Sequence, residues 1–316
     1  MAWFHRSGKI PHIPFMRFAR AFFLASGLLV IASIGAVATI GLNFGIDFQG
    51  GTMIEIGFEE PADLGAVREV MGGLGLGEVQ VQEFGNANDV LIRVAEQPGG
   101  DAAQQAVVTE VRAALGERFG EGVSYRRVEV VGPKVGDELV FDGVLAVVVA
   151  VIAMLFYIWL RFDTQFGVGA VASLTHDVIL TLGIFSVFQL EFGLPIVAAL
   201  LTILGYSIND TVVVYDRIRE NLRKYKKMDL PELIDLSINE TLSRTLVTSG
   251  TTLLALLALF YFGGPVIHNF VFAMIFGIVI GTYSSIFIAS PTLKYLGVRR
   301  DWSGEGAGKT TKGASA

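Results

Sequence analysis

The sequence predicts a polytopic α-helical membrane protein with six transmembrane helices and a small α+β domain between helices one and two. Of its 316 residues, 52% are hydrophobic and 17% charged, and the mean hydropathy is +0.57. A soluble domain carries about 25% charged residues, so a cytosolic globule is excluded. The apolar residues fall into six runs, each near the roughly 20 residues that cross a bilayer. The chain has no cysteine, which excludes a disulfide framework and thiolate metal sites.

The six transmembrane helices are expected in order along the chain, and the last five form a bundle over residues 139–298. Titratable or amide groups interrupt two of the runs, at His176 and Asp177 and at Asn209 and Asp210. The last run carries Gly277 and Gly281 in G-x-x-x-G spacing, which favours close helix packing. The expected spans are residues 21–42, 139–160, 166–190, 192–215, 244–262 and 268–291.

Basic residues predict the orientation of these helices. They cluster in the N-terminal tail (1–20), in the segment after the fourth span and at the start of the C-terminal tail (299–316), whereas the short connections near Glu191 and at 263–268 hold none. By the positive-inside rule, both tails are cytoplasmic and residues 43–138 are periplasmic. Cleavage of the first span as a signal peptide is the alternative. Its apolar run exceeds the 7–15 residues of a typical signal sequence, which favours a retained helix.

The order of expected strands and helices in residues 43–138 predicts a ferredoxin-like βαββαβ domain. Between residues 47 and 138 there are 17 acidic and 7 basic residues, a balance of −10. This segment has no histidine and no nucleophile motif, so we expect a contact or lever domain rather than an enzyme. The expected elements are a strand at 52–58, a helix from Pro61 to Met71, strands at 78–84 and 89–94 around a turn, a helix at 101–118 and a strand at 123–131.

Asp210 is the sharpest functional candidate. A carboxylate in the middle of a bilayer costs about 2.5–3.5 kcal/mol, and such residues are usually paired and functional. Arg244, at the start of span five, is a candidate partner, and Thr248 lies one turn further on the same face. The alternative is a structural ion pair that joins two helices. Asn209 is a candidate for polar support.

His176 and Asp177 are candidates for polar support or for a proton relay. Consecutive residues of a helix point about 100° apart, which argues against a simple His–Asp pair. A polar contact with a neighbouring helix is the preferred interpretation.

Three further segments have a structural or lipid-contact interpretation rather than a chemical one. Asp47-Phe48-Gln49-Gly50-Gly51 follows span one, and its paired glycines permit a tight, unusual backbone. Residues 303–310 resemble a phosphate-binding loop, but the first glycine is Ser303 and neither a strand nor a helix flanks it, so we expect a flexible tail and no cofactor. The basic segment 217–227 indicates contact with membrane lipids, and no nucleic acid is expected.

Four motifs in the same order give the chain its resemblance to a known family. They are Asp47-Phe48-Gln49-Gly50-Gly51, GYSINDTVVVYDRIREN at 205–221, SINETLSRTLVTSGTT at 237–252 and GTYSSIFIASP at 281–291. With them, residues 15–298 resemble the SecD/SecF family of protein-export membrane proteins, within the resistance-nodulation-division superfamily.

The resemblance implies a transport subunit of the bacterial inner membrane rather than an enzyme. Such a subunit works with SecD and uses the proton motive force to complete export of unfolded pre-proteins from the Sec channel. Asp210, Arg244 and Thr248 match residues of the family's proposed proton path, and sodium is the alternative coupling ion. The other implied partners are the SecY-SecE-SecG channel, the SecA ATPase and YajC. Two alternatives stay open: half of a small-molecule or lipid exporter, and a non-transporting scaffold or insertion factor for the channel.

Overall fold

The chain folds into a helical bundle that carries a small α+β domain at one end. The computed structural model describes residues 12–298, so the tail predicted at 299–316, with its loop-like 303–310, and residues 1–11 lie outside the described residues. Within that range, six helices are long and apolar enough to cross a membrane. The prediction of a six-helix membrane protein is confirmed at this level. The elements before the domain are α1 (Phe15–Thr39), β1 (Asn43–Phe44) and α2 (Ile46–Gln49).

The domain itself contains β2 (Gly51–Phe58), α3 (Leu64–Gly73), β3 (Val79–Phe84), β4 (Asn86–Val94), α4 (Asp101–Phe119) and β5 (Val123–Val131). The bundle continues with α5 (Pro133–Arg161), α6 (Thr164–Phe188), β6 (Glu191–Phe192), α7 (Leu194–Lys224) and α8 (Leu230–Phe262). A last helical run follows, made of α9 (His268–Ser284), a π-helical segment (Ser285–Ala289) and α10 (Ser290–Tyr295).

Four helices extend well beyond the spans expected from hydropathy: α1, α5 and α8 begin earlier, and α7 continues to Lys224. α1 begins at Phe15, inside the segment predicted as a tail, because Phe15 and Met16 are buried in the bundle. The backbone N–H of Met16 donates to Asp235 Oδ1 at 2.8 Å, which satisfies a free donor of the first turn. α8 begins at Leu230 rather than near residue 244, because Leu233 and the next apolar positions of this turn bury against the bundle.

α7 is the centre of the bundle, in contact with α5, α6, α8 and α9. α6, α7 and the last helical run are buried along about half of their most apolar stretch, whereas α1 and α5 are almost fully exposed there. The two glycines of the G-x-x-x-G pattern face α7. A Cβ at Gly277 would lie 2.3 Å from Ile203 Cδ1, and one at Gly281 would lie 3.0 Å from Ser207 Cβ. Because Gly277 and Gly281 have no side chain, α9 can approach α7 closely.

The domain is a four-stranded antiparallel sheet in the order β3-β4-β2-β5. One face of the sheet packs on α3 and α4 around Ile54, Ile92, Val67 and Val111. Two predicted boundaries were wrong. α3 starts at Leu64 rather than Pro61, because the Asp63 side chain caps it by accepting from the Ala66 N–H at 3.0 Å. The second hairpin strand starts at Asn86 rather than 89, because Gly85, with φ of 80°, makes the turn tighter than expected.

The contact between Gly277 and Ile203 generates a stability prediction. Gly277→Ala places a methyl group inside Ile203, and overpacking of this kind costs about 1–3 kcal/mol. We therefore expect a lower midpoint of thermal unfolding for the protein in detergent. Gly27→Ala in α1 is the matched control, since no atom lies within 4 Å of its Cβ position. The double variant Gly277→Ala/Ile203→Ala should recover part of the loss, and equal midpoints for Gly277→Ala and the wild type would contradict the prediction.

Candidate functional site

Asp210 lies in α7 where three helical elements meet. Its side chain is buried, with a relative exposure of 6%. The Thr245 hydroxyl of α8 donates to Asp210 Oδ1 at 2.7 Å, and the Ser285 hydroxyl of the π-helical segment donates to Oδ2 at 3.1 Å. Each carboxylate oxygen therefore has a hydroxyl donor from a different helix. A carboxylate in this setting can exist with or without a proton, because hydroxyl groups either donate or accept.

Arg244 and Thr248 lie beside this cluster and not in it. Both side chains are exposed on α8, and no ion pair joins Arg244 to Asp210. The Thr248 hydroxyl donates to the carbonyls of Arg244 and Thr245 on its own helix, at 3.0 Å each. The three residues predicted to meet are thus at one depth, but Thr245 occupies the place next to Asp210. Asn209 is also exposed, on a different face of α7 from Asp210.

Asp177 forms a second polar cluster in α6. It is fully buried, and its Oδ2 accepts from the hydroxyls of Ser207 at 2.6 Å and Ser284 at 2.8 Å. Its Oδ1 lies 2.9 Å from Nδ1 of His176. His176 and Asp177 therefore do form a direct pair, contrary to the expectation from the 100° spacing, because the two side chains bend towards each other although their Cα–Cβ bonds diverge. The preferred interpretation, polar contact with neighbouring helices, describes Ser207 and Ser284.

His176 connects this second cluster to α1. Its ring stacks on that of Tyr283 at a centroid distance of 6.0 Å, and its Nε2 is buried without a hydrogen-bond partner. The Tyr283 hydroxyl lies 2.7 Å from Ser26 Oγ of α1. This hydrogen bond adds a polar contact between α1 and the last helical run.

The two clusters meet at the change from α-helix to π-helix. Ser284, which binds Asp177, and Ser285, which binds Asp210, are consecutive at this boundary. Pro291 explains the wide turn, because proline has no N–H and its ring excludes the carbonyl four residues earlier. The Ser290 hydroxyl satisfies the Ser285 carbonyl at 2.8 Å. The wide turn thus places Ser284 and Ser285 next to carboxylates on two different helices. π-helical turns often occur at functional sites.

The segment from Gly41 to Gly50 fastens the domain side of the bundle. β1 pairs in parallel with β6, and Asp47 Oδ2 accepts from the Leu194 N–H at 2.8 Å, so Asp47 caps the first turn of α7. The Phe48 ring stacks on Phe192 at 6.0 Å. Asp47 and Phe48 therefore do more than make a turn, because they hold the start of the helix that carries Asp210.

Gly50 and Gly51 connect this segment to the sheet with an unusual backbone. Their φ angles are 71° and 116°, which L side chains rarely adopt. A Cβ at Gly51 would also lie 2.5 Å from the Val94 carbonyl oxygen. The glycine pair thus provides both the turn and the close approach of β2 to the end of β4.

Arg93 of β4 and Glu191 of β6 form an ion pair between the domain and the bundle. Burial raises the pKa of Glu191, and Asp47 and Glu129 add to this, whereas Arg93 and Arg127 act in the opposite direction. The sequence alone did not indicate this pair, nor Thr245, Ser285, Ser207 and Ser284. The four hydroxyl residues lie within the quoted motifs, but a hydroxyl in an apolar helix also bonds its own backbone, so only the structure selects them.

Comparison with known proteins agrees with this architecture. The description "Protein export membrane protein SecD/SecF, C-terminal" matches residues 111–299, and "SecD/SecF GG Motif" matches residues 35–62. "Protein translocase subunit SecF" of Magnetococcus marinus is 51% identical over 305 residues, which are 96% of this chain and 98% of the relative. The protein of the same name from Vibrio alginolyticus is 47% identical over 289 residues, 92% of this chain and 91% of the relative.

Two solved structures are also similar. The crystal structure of SecDF, a translocon-associated membrane protein from Thermus thermophilus, matches with a TM-score of 0.81 and 36% identity over 92% of this chain. A SecDF structure in the super-membrane-facing form matches with a TM-score of 0.67 at 36% identity over 91% of this chain. The chain spans 39% of the length of each of these two. With the family matches and the extent of these likenesses, the chain belongs to the SecD/SecF family of protein export membrane proteins.

Proposed function

We propose that this chain is the SecF-type subunit of an inner-membrane export complex and, with SecD, uses the proton motive force to complete export of pre-proteins from the Sec channel. The observation that carries the proposal is the buried Asp210 carboxylate, held by hydroxyls from two other helical elements deep in an apolar bundle. The close relatives named translocase subunits support the biological context. In this role the chain is a transport subunit and makes or breaks no covalent bond.

The ion step is a change of the proton on Asp210. With the carboxylate ionised, Thr245 and Ser285 both donate to it. With the carboxylate protonated, its O–H becomes a donor and one hydroxyl must turn away. Since the two hydroxyls belong to α8 and to the π-helical segment, each protonation change alters how α7 is tied to its neighbours. One elementary charge crossing 100 mV releases about 2.3 kcal/mol, enough to bias a helix rearrangement of a few kcal/mol but not to move a whole pre-protein in one step.

The exposed polar face of α8 supports SecD as a partner. Thr245 contacts Asp210, so its neighbour Arg244 lies at the same depth, exposed with Thr248. A cation at that depth is costly against lipid, and in membrane proteins it usually faces protein or water. A partner subunit over this face would cover Arg244 and bring it into the ion path. The SecDF structures, in which the match occupies 39% of a longer chain, support a SecD half beside this one.

The domain is proposed to be periplasmic, with both termini in the cytoplasm, and to act as the lever. The sheet order β3-β4-β2-β5 with two helices on one face supports a ferredoxin-like classification. Its position over the ends of α6–α9 supports a mechanical role. The remaining proposed contacts are with the SecY-SecE-SecG channel, SecA, YajC and the pre-protein, and the proposed coupling ion is the proton, with sodium as the alternative.

The central prediction concerns Asp210→Asn. Asparagine keeps the shape and one acceptor oxygen but exchanges no proton, so the part of export that depends on the gradient should be lost. The measurement uses inverted vesicles with this chain, SecD and the Sec channel, and follows completion of a pre-protein trapped midway, with and without a pH gradient. Asp163→Asn is the matched control, because Asp163 is exposed and its side chain makes no cap hydrogen bond.

The wild type and Asp163→Asn should respond to the gradient, whereas Asp210→Asn should complete export only at the rate seen without it. An equal response of all three proteins would make Asp210 structural and would leave the scaffold alternative. Repeating the assay with a sodium gradient identifies the coupling ion.

A second prediction separates two threonines of α8. Thr245→Val removes the hydroxyl that donates to Asp210 and leaves Oδ1 without a partner, at a cost of about 1.5–3 kcal/mol for a hydrogen bond to a charged group. Gradient-dependent completion should fall roughly tenfold or more. Thr248→Val removes a hydroxyl that bonds only its own helix, and it should have the smaller effect. The reverse order would mean that the family's expected path through Thr248, and not the contact with Thr245, governs the ion step.

A further inference from the structure

The body of the domain touches the bundle through a narrow contact. In the described part of the chain, residues 12–298, Arg93–Glu191 is the only side-chain ion pair that joins the two. Beside it, Gly85 lies against Pro265, where a Cβ would come within 2.8 Å of Pro265 Cγ. Cavities of about 670 and 340 Å³ open around this contact, and Glu191 lines both. Met53 and Leu91 of the sheet also pack on Ile46 of α2, so the domain rests on this small apolar contact and on the ion pair, with space around them.

Glu191 occupies the end of the helix connection that leads to Asp210. It lies three residues before Leu194, the first residue of α7, and at 1.5 Å per residue Asp210 follows about 24 Å further along the same helix. Arg93 lies on β4, a central strand, and its neighbours Ile92 and Val94 belong to the core of the domain. The pair therefore joins the start of the ion-binding helix to the middle of the sheet, without a loop between them.

The location of the pair does not suit a purely stabilising role. The side chains are 12% and 29% exposed, so both charges are largely removed from water. Desolvation of two charges usually offsets most of their attraction, and such pairs are better attested as devices that fix one arrangement. Burial raises the pKa of Glu191 in spite of Arg93, which agrees with a costly ionised state. Gly45 leaves the room that the pair needs, since a Cβ there would lie 2.8 Å from Glu191 Oε1.

We propose that Arg93 and Glu191 are positioning residues that couple α7 to the domain, so that a displacement of α7 at Asp210 becomes a tilt of the sheet about Gly50–Gly51. This inference rests on the proposed function for its biological meaning. The glycine pair provides the pivot, with φ values of 71° and 116° where the chain enters β2. The other covalent connection between sheet and bundle, Gly132 between β5 and α5, lies beside it, because Gly51 pairs with Val131. Asp47 holds the start of α7 on one side of the pivot, and the ion pair holds the sheet on the other.

The test is an exchange of the two charges, read by domain position and by export. Because the chain has no cysteine, Glu110→Cys on α4 and Val266→Cys at the domain side of the bundle, both exposed, provide two unique spin-label sites. Distances between them are measured in the complex with SecD in nanodiscs, and gradient-dependent completion is measured in vesicles. The variants are Arg93→Glu, Glu191→Arg and the double exchange, with Arg118→Glu on the exposed side of α4 as the matched control.

Each single reversal should broaden the distance distribution and lower gradient-dependent completion at least fivefold, whereas the double exchange and Arg118→Glu should match the wild type within twofold. An arginine at 191 would also face Asp47 and Glu129, which favours the exchanged pair. The proposal is overturned by single variants with an unchanged distance, by a double exchange that does not restore it, or by a broadened distance with completion unaffected.

Asp210→Asn is measured in parallel, so that the two proposals fail separately. If Asp210→Asn completes export like the wild type, the proton-coupled function is wrong, while the label distances still report whether the ion pair sets the position of the domain. If Asp210→Asn loses the gradient response and the charge reversals do not, the function stands and the coupling role of the pair is wrong.

Discussion

The structure depends on one constraint: a carboxylate inside an apolar bundle must have its hydrogen bonds supplied by the protein. Asp210 meets this constraint with one hydroxyl from α8 and one from the π-helical segment, and Asp177 meets it with Ser207, Ser284 and His176. Each partner lies on a different helix, except His176, which precedes Asp177 in the chain. The hydrogen bonds of the two carboxylates therefore fix how four helices pack together. The glycines at 277 and 281 follow from the same demand, because they let α9 approach α7 closely enough for its serines to reach both clusters.

The sequence predicted the elements well and the contacts poorly, for a physical reason. Hydropathy depends on the average of about 20 residues, so the six helices and the polar domain emerge from composition. A hydrogen-bond partner depends on one rotation of a helix: Thr245 and Thr248 share α8, and only the structure reveals that Thr245 faces Asp210. The His176–Asp177 pair was missed because an average angle of 100° between neighbours ignores the bending of side chains. The π-helical turn was not predicted, although Pro291, which explains it, is visible in the sequence.

Hydropathy also does not predict where the helices end or how the domain contacts the bundle. The extra turns of α1 and α8 are amphipathic and lie outside any apolar run, so they form because Phe15, Met16 and Leu233 have a bundle surface to cover. The sequence contained one indication that Arg93 makes a specific contact, because it is a charged residue inside the apolar strand Asp89-Val90-Leu91-Ile92-Arg93-Val94. Alternation places it on the face opposite to Ile92 and Val94, away from the domain core. The residue that contacts this face depends on the fold, because Glu191 is 98 residues away from Arg93 in the chain.

In the proposed mechanism, α7 is a rigid helix that connects Asp210 to the support of the domain. Its middle carries Asp210, and its first turn is capped by Asp47 and preceded by Glu191, so a continuous helix joins the proposed ion site to the support of the domain. A tight-packed helix transmits a shift along its axis with little loss, because the interior has low compressibility. In the proposed export role, work on a pre-protein requires such a connection, because the energy of one proton is small and would be dissipated by any flexible segment between the ion site and the domain. The proposed pivot, Gly50–Gly51, lies outside α7, where bending would change the direction of the lever rather than absorb its movement.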